Sequence, residues 1–237
     1  MRTRKGLAVV LILSAVVLAS APAEAGGRFN IRVFGSWLTS GGNQINEPDP
    51  ITQQACLLPG NCATMDVVDG SGGGLSVEFR VTKHRVGIEL GALASEMDIG
   101  LEFIQSSMIS PVFTSTSVPL QSDFTPIFLG VNYHVLKPES KVDFYVGALY
   151  ADVGYSTETV ALGSQEVLFD FEDDSGWGFN MAFDVYLSKR WYIGGGLRYI
   201  AASSNFSVTD VASDTELFRG TLDFDPYIFS FGGGVRF

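Results

Sequence analysis

Hydrophobic residues in this chain recur at every second position over eight separate stretches. A period of two places alternate side chains on opposite faces of a strand. The first stretch carries Phe29, Ile31, Val33 and Trp37; the second carries Leu75, Val77, Phe79 and Val81. Val86, Ile88, Leu90 and Ala92 form the third, and Ile127, Leu129, Val131, Tyr133 and Val135 the fourth. The fifth has Val142, Phe144, Val146, Ala148 and Tyr150. The sixth is the most regular, with Trp177, Phe179, Met181, Phe183, Val185 and Leu187. Trp191, Ile193, Leu197 and Tyr199 mark the seventh, and Tyr227, Phe229, Phe231, Val235 and Phe237 the last. Strands of about ten residues, tilted, suffice to cross a bilayer.

The connections alternate in length. Thr82–His84, Lys137–Ser140 and Ser188–Lys189 are short, whereas 39–73, 94–124, 154–175 and 203–221 read as long loops. Outer-membrane barrels have short periplasmic turns and long external loops, which predicts the orientation and puts both chain termini in the periplasm. Charge divides the same way. Arg28, Lys83, Arg85, Lys137, Lys141, Lys189 and Arg190 fall at the short-turn end. The long connections hold Arg219 against many acids, among them Glu96, Asp98, Glu158, Asp170, Glu172, Asp173 and Asp174.

Alternation alone does not say which face is wet, since a soluble lipocalin-type barrel alternates with its apolar side inward. Three features favour the apolar face outward. Trp37, Trp177, Trp191, Tyr199 and Tyr227 stand near strand ends, as interfacial girdles do. The opposite face carries Arg32, Arg80, Arg198 and Arg236 with Glu78, Glu89, Asp143 and Asp184, a set that would neutralise itself in a lumen. The last strand ends GGGVRF, and its terminal aromatic Phe237 is similar to the signal read by the outer-membrane assembly machinery. These predict an all-β protein, an eight-stranded antiparallel up-and-down transmembrane β-barrel integral to a Gram-negative outer membrane.

Arg2, Arg4 and Lys5 precede an apolar run from Leu7 to Leu18 and an A-x-A site, Ala23-Glu24-Ala25. The run is too short to span and suits a cleaved signal peptide over residues 1–25, leaving 26–237 as the barrel. A retained anchor would need a longer run. Removal takes away three basic residues and one acid, leaving 12 basic and 25 acidic residues and a net charge of −13. That balance argues against nucleic acid as a partner. Cys56 and Cys62 are the two cysteines. The Pro59-Gly60 turn between them favours a small disulfide, worth about 2 kcal/mol, over a metal site.

The stretch TPIFLGVNYHVLKPESKVDFYVGALYADVGYS resembles the fourth and fifth strands of the OmpW/AlkL family. DDSGWGFNMAFDVYLSKRWYIGGGLRYI and LDFDPYIFSFGGGVRF resemble its sixth to eighth strands. Together these cover about residues 124–237; the N-terminal half matches in pattern, and ACLLPGNC in the first loop departs from the family. The resemblance implies an eight-stranded barrel with a hydrophobic passage and a role in uptake of small hydrophobic molecules.

Phe34, Phe128, Tyr145, Leu149, Tyr186, Tyr192 and Ile228 fall on the inward face. They fit a passage lining and equally a plug, because eight strands leave space for side chains or one small ligand. The second long connection is apolar, with Leu101, Phe103, Ile104, Met108, Ile109, Val112 and Phe113. Such a segment is expected to fold over the barrel mouth rather than face water. The GGG runs have no following helix to make a phosphate loop and read as strand curvature or space for neighbours. An acyl-chain hydrolase would need Ser and His together. Of the two histidines, His84 lies in a short turn and His134 reads as a hydrogen-bonded lumen residue. Asp170, Glu172, Asp173 and Asp174 lack the spacing of a calcium loop. No catalysis, metal or cofactor is expected. The expected partners are membrane lipid, lipopolysaccharide, a small hydrophobic solute and the assembly machinery. A second reading is a non-transporting barrel that presents acidic loops to lipopolysaccharide, host ligands or phage.

Overall fold

A computed structural model describes residues 29–40, 44–45, 62–81, 85–107, 110–136, 140–162 and 165–237. The strands are β1 (Phe29–Ser40), β2 (Gln44–Ile45), β3 (Cys62–Arg80), β4 (Val86–Ser107), β5 (Ser110–His134), β6 (Val142–Tyr155) and β7 (Glu158–Leu162). They continue as β8 (Gln165–Phe171), β9 (Asp174–Tyr186), β10 (Trp191–Ile200), β11 (Ser203–Asp210), β12 (Thr215–Asp223) and β13 (Pro226–Arg236). Eight of them close into an antiparallel barrel in the order β1-β13-β10-β9-β6-β5-β4-β3. The predicted signal peptide lies outside the described residues, as do Cys56 and Met108.

The apolar faces of the barrel point outward. Trp177, Leu187, Trp191 and Val33 are 71%, 65%, 60% and 63% exposed. At ~3.3 Å per residue and a tilt of ~40°, the outward run from Trp177 to Leu187 spans ~25 Å, the height of a lipid-facing band. Aromatic pairs rim the end away from the short turns. Tyr150 meets Trp177 edge-on at 5.0 Å, Phe179 stacks on Tyr199 at 5.3 Å, and Tyr199 meets Tyr227 at 5.1 Å.

All four long connections contain strand: β3 already begins at Cys62, within 39–73, and the other three extend further. The stretch expected to fold over the mouth instead continues the ladder: β4 runs to Ser107 and β5 starts at Ser110, with Leu101 opposite Val118 and Phe103 opposite Thr116. Ile104 faces Cys62 across the β3–β4 ladder, and Phe113 pairs with Ser106. Residues 158–171 and 203–223 form two more hairpins, which join in a second sheet of order β2-β12-β11-β8-β7. Backbone amides that would be orphaned beyond the barrel find partners here, which is why these segments are extended rather than irregular. Side chains close the approach of β5 to this sheet: the Gln121 amide donates to Glu158 Oε2 at 2.7 Å, and the Asp123 amide to Ser156 Oγ at 2.7 Å.

Candidate functional site

The interior has two chemically distinct halves. Near the short turns the inward side chains are ionic. Arg80 Nη2 donates to Asp143 Oδ2 at 2.6 Å, and its Nε lies 3.5 Å from Glu78 Oε2. His134 stands between the same carboxylates, with Nε2 2.6 Å from Glu78 and Nδ1 3.0 Å from Asp143. Two carboxylate acceptors on one ring are both satisfied when the ring carries two protons. Arg32 pairs with Asp184 at 2.6 Å and also donates to the Tyr145 hydroxyl. One level further in, Glu89 accepts from Arg198 at 3.0 Å, Asn132 at 2.9 Å and Asn180 at 3.3 Å.

Parity placed Glu78, Arg80, Glu89, Asp143, Asp184, Arg198 and Arg32 inside, and the structure ties all seven into this network. Arg236 stands at the rim, 5.4 Å over the Tyr186 ring. His134 stands between Glu78 and Asp143, and when both of its nitrogens carry protons four cations (Arg32, Arg80, Arg198 and His134) face four carboxylates. Asn30, Asn132 and Asn180 also belong to the network. Their signal was available, since each sits at an inward position between outward apolar residues, but short amides carry no charge to draw notice.

Glycines make this packing possible. A Cβ on Gly87 would meet the Glu78 carboxylate, one on Gly147 would meet the amides of Asn132 and Asn180, and one on Gly234 would meet the Tyr192 ring and hydroxyl. The expectation of space for neighbouring side chains therefore holds at these positions.

Arg198 marks the boundary between the halves. Its guanidinium lies between the rings of Phe34 at 4.9 Å and Phe128 at 4.7 Å, a double cation–π contact. Beyond it the interior is apolar. Leu149 and Ile228 are buried with Leu38 and Leu93, and the same cluster continues through Phe124, Ile99 and Leu120 to Phe171, Phe206 and Phe224. Tyr155 stacks on Phe224 at 4.8 Å, and its hydroxyl is buried without a hydrogen-bond partner among the described residues. Burial, then the nearby charges of Asp174 and Asp173, push that phenol well above its ordinary value.

The seven residues named as passage lining divide across this boundary. Tyr145 and Tyr192 lie among the ions, where both rings flank Arg32, and Tyr186 packs on Tyr192. Phe34 and Phe128 form the boundary, and Leu149 and Ile228 belong to the apolar half. All are buried except Tyr186, which is half-buried. Phe124, Phe171, Phe206 and Phe224 were missed because they fall in or beside stretches that read as loops. Among the described residues no group of His, Cys, Asp and Glu is arranged to hold a metal ion.

The barrel has the fold of two solved outer-membrane proteins. OprG from Pseudomonas aeruginosa superposes with a TM-score of 0.63 at 16% identity, covering 89% of this chain and 96% of that one. AlkL, determined in DMPC lipid bilayers, gives 0.52 at 18% identity, covering 92% of this chain and 95% of that one. The resemblance to the OmpW/AlkL family is thus met at the level of the fold. No curated protein matches the chain in sequence. The family described as "Outer membrane protein beta-barrel domain" matches residues 6–237. With its apolar faces outward, its ions enclosed and nearly its whole length matched, the chain belongs to the outer membrane protein beta-barrel domain family and is an integral outer-membrane barrel set in lipid.

Proposed function

We propose that the barrel takes up small hydrophobic molecules passively, through the apolar half of its interior. The observation that carries this reading is the division at Arg198: a continuous apolar cluster above it and a paired ionic layer below. A hydrophobic solute gains by leaving water for the upper half. It gains nothing by entering the ionic half, where it would displace charge-assisted hydrogen bonds. Its exit is therefore sideways into the bilayer, not along the axis. The resemblance to the OmpW/AlkL family supports the same solute class. No catalytic step is assigned, since both ring nitrogens of His134 are engaged by carboxylates.

The reading carries several further parts: removal of residues 1–25, termini on the periplasmic side, a Cys56–Cys62 disulfide, recognition of Phe237 by the assembly machinery, and lipopolysaccharide around the hairpin end. Vesicles containing the barrel should take up N-phenylnaphthylamine faster than protein-free vesicles, with no leak of glucose. Equal dye uptake in both would reject the proposal. That result would favour the second reading, a barrel that displays its hairpins to lipopolysaccharide, host ligands or phage. The tight packing of Leu120, Phe124 and Leu222, each 0% exposed, supports this alternative.

A further inference from the structure

The two ends of the barrel carry opposite charge, and the short-turn end carries it in a particular setting. Arg85, Lys141, Lys189 and Arg190 sit in the three turns that join β3 to β4, β5 to β6 and β9 to β10. In the barrel order those turns recur at regular intervals around the rim. Lys141, Lys189 and Arg190 are exposed, Arg85 is half-buried, and none forms an ion pair with another described residue. By sequence the same turns add Lys83 and Lys137 and one acid, Glu139. At the hairpin end the one cation among the described residues is Arg219, and it is paired with Glu216 at 2.8 Å.

Each turn also presents apolar side chains next to its cations. Val81 lies near Arg85 in sequence, Val135 and Leu136 near Lys141, and Leu187 and Trp191 flank Lys189 and Arg190, all of them exposed. The β9–β10 turn is fixed by Ser188, whose Oγ accepts from the amides of Arg190 at 3.2 Å and Trp191 at 3.0 Å. Arg85 is steadied by donating to the Tyr133 hydroxyl at 3.3 Å. Cations held just outside an apolar band match a ligand with acyl chains and an anionic head, and do not match a freely dissolved anion.

We propose that the short-turn rim is a docking surface for anionic phospholipid, with Arg85, Lys141, Lys189 and Arg190 on the headgroup phosphates and Leu187 and Trp191 against the acyl chains. The surface fixes which lipid class surrounds one end of the barrel, and does so independently of any solute uptake. Each engaged cation raises the local preference for an anionic lipid about fivefold.

The test is the lipid retained by the folded barrel released from nanodiscs of phosphatidylcholine with a minority of phosphatidylglycerol, counted by mass spectrometry. The parent should retain phosphatidylglycerol several-fold above its bulk share, and less at 0.5 M salt. The triple variant Lys141→Gln, Lys189→Gln and Arg190→Gln, which keeps Arg85, should lose most of the enrichment, while Lys141→Arg with Lys189→Arg should keep it and so separate charge from misfolding. Neutralising the other end with Glu96→Gln, Glu166→Gln and Asp214→Asn should leave the ratio unchanged. A parent that retains lipid at the bulk ratio overturns the proposal. So does a triple variant that keeps the enrichment, or an enrichment that tracks the acidic end, which would mean that net charge alone is sensed.

Discussion

The two halves of the interior are enclosed by the same strands and filled by opposite chemistry. Near the short turns, inward positions of β3, β4, β6 and β9 carry Glu78, Arg80, Glu89, Asp143 and Asp184. Further along β4 and β6, inward positions carry Leu93, Met97, Ile99, Ala151 and Val153. The ionic half is held by directional contacts whose loss strands a partner, so its tolerance for substitution is low. The apolar half is held by contacts without direction, so the cost of a substitution there follows the apolar volume removed. One barrel therefore combines a directional ionic layer at one end with a packed apolar cluster at the other.

The largest expected effect comes from breaking the ionic side. Arg80→Met leaves Asp143 with His134, and Glu78 with His134 and Asn30, and should cost on the order of 3–5 kcal/mol. Urea unfolding in lipid vesicles measures it, and a loss under 1 kcal/mol would show the network to be hydrated and soft. Phe224→Ala tests the apolar side. It removes the ring stacked on Tyr155 and should cost about 3 kcal/mol, felt in the second sheet. Limited proteolysis should then cut near β11 and β12 while the barrel stays resistant to heating in detergent. Simultaneous loss of both would mean that the two halves fold as one unit.

A smaller effect is expected at Gly194→Ala, where the new Cβ would press on Asp184 and the Phe183 carbonyl. A cost of about 1–3 kcal/mol follows, because backbone and a buried ion pair must both shift. Gly233→Ala is the control, since its Cβ would meet the nearest atom, the Tyr192 carbonyl oxygen, at 3.1 Å. Equal costs at the two positions would put strand propensity, not packing, in charge. The smallest change belongs to Tyr155→Phe, which removes a buried hydroxyl with no partner among the described residues. It should be neutral or stabilise by up to ~1 kcal/mol. An unfolded Tyr loses its proton above about pH 10 while the folded one keeps it, so the parent loses stability as pH rises past that value. The variant should lose less, as thermal melts at pH 9 and pH 11 would register.

Much of the barrel was legible because a two-residue period is a local property. Trp177 to Leu187 shows it without any knowledge of neighbours, and parity alone sends Asp184 and Asn180 inward. Where the period weakens, the reading stopped. Residues 94–124 lack strict alternation, and nothing nearby in sequence tells that β4 and β5 continue in register past the membrane band. The partners of Phe206 and Phe224 are likewise remote, since β8 reaches β11 only after β9 and β10 have been placed.

The sequence by itself determined that eight amphipathic strands exist, which face of each is apolar, and that the charges fall on the other face, because each of these follows from the side-chain parity of a single strand. Only the tertiary structure decided which charges meet. Arg80 and Asp143 come together across the lumen at a separation no local pattern encodes, and His134 stands between the carboxylates of two other strands. Pairing across an enclosed space depends on strand order, register and barrel tilt together, and those are set by closure of the whole sheet.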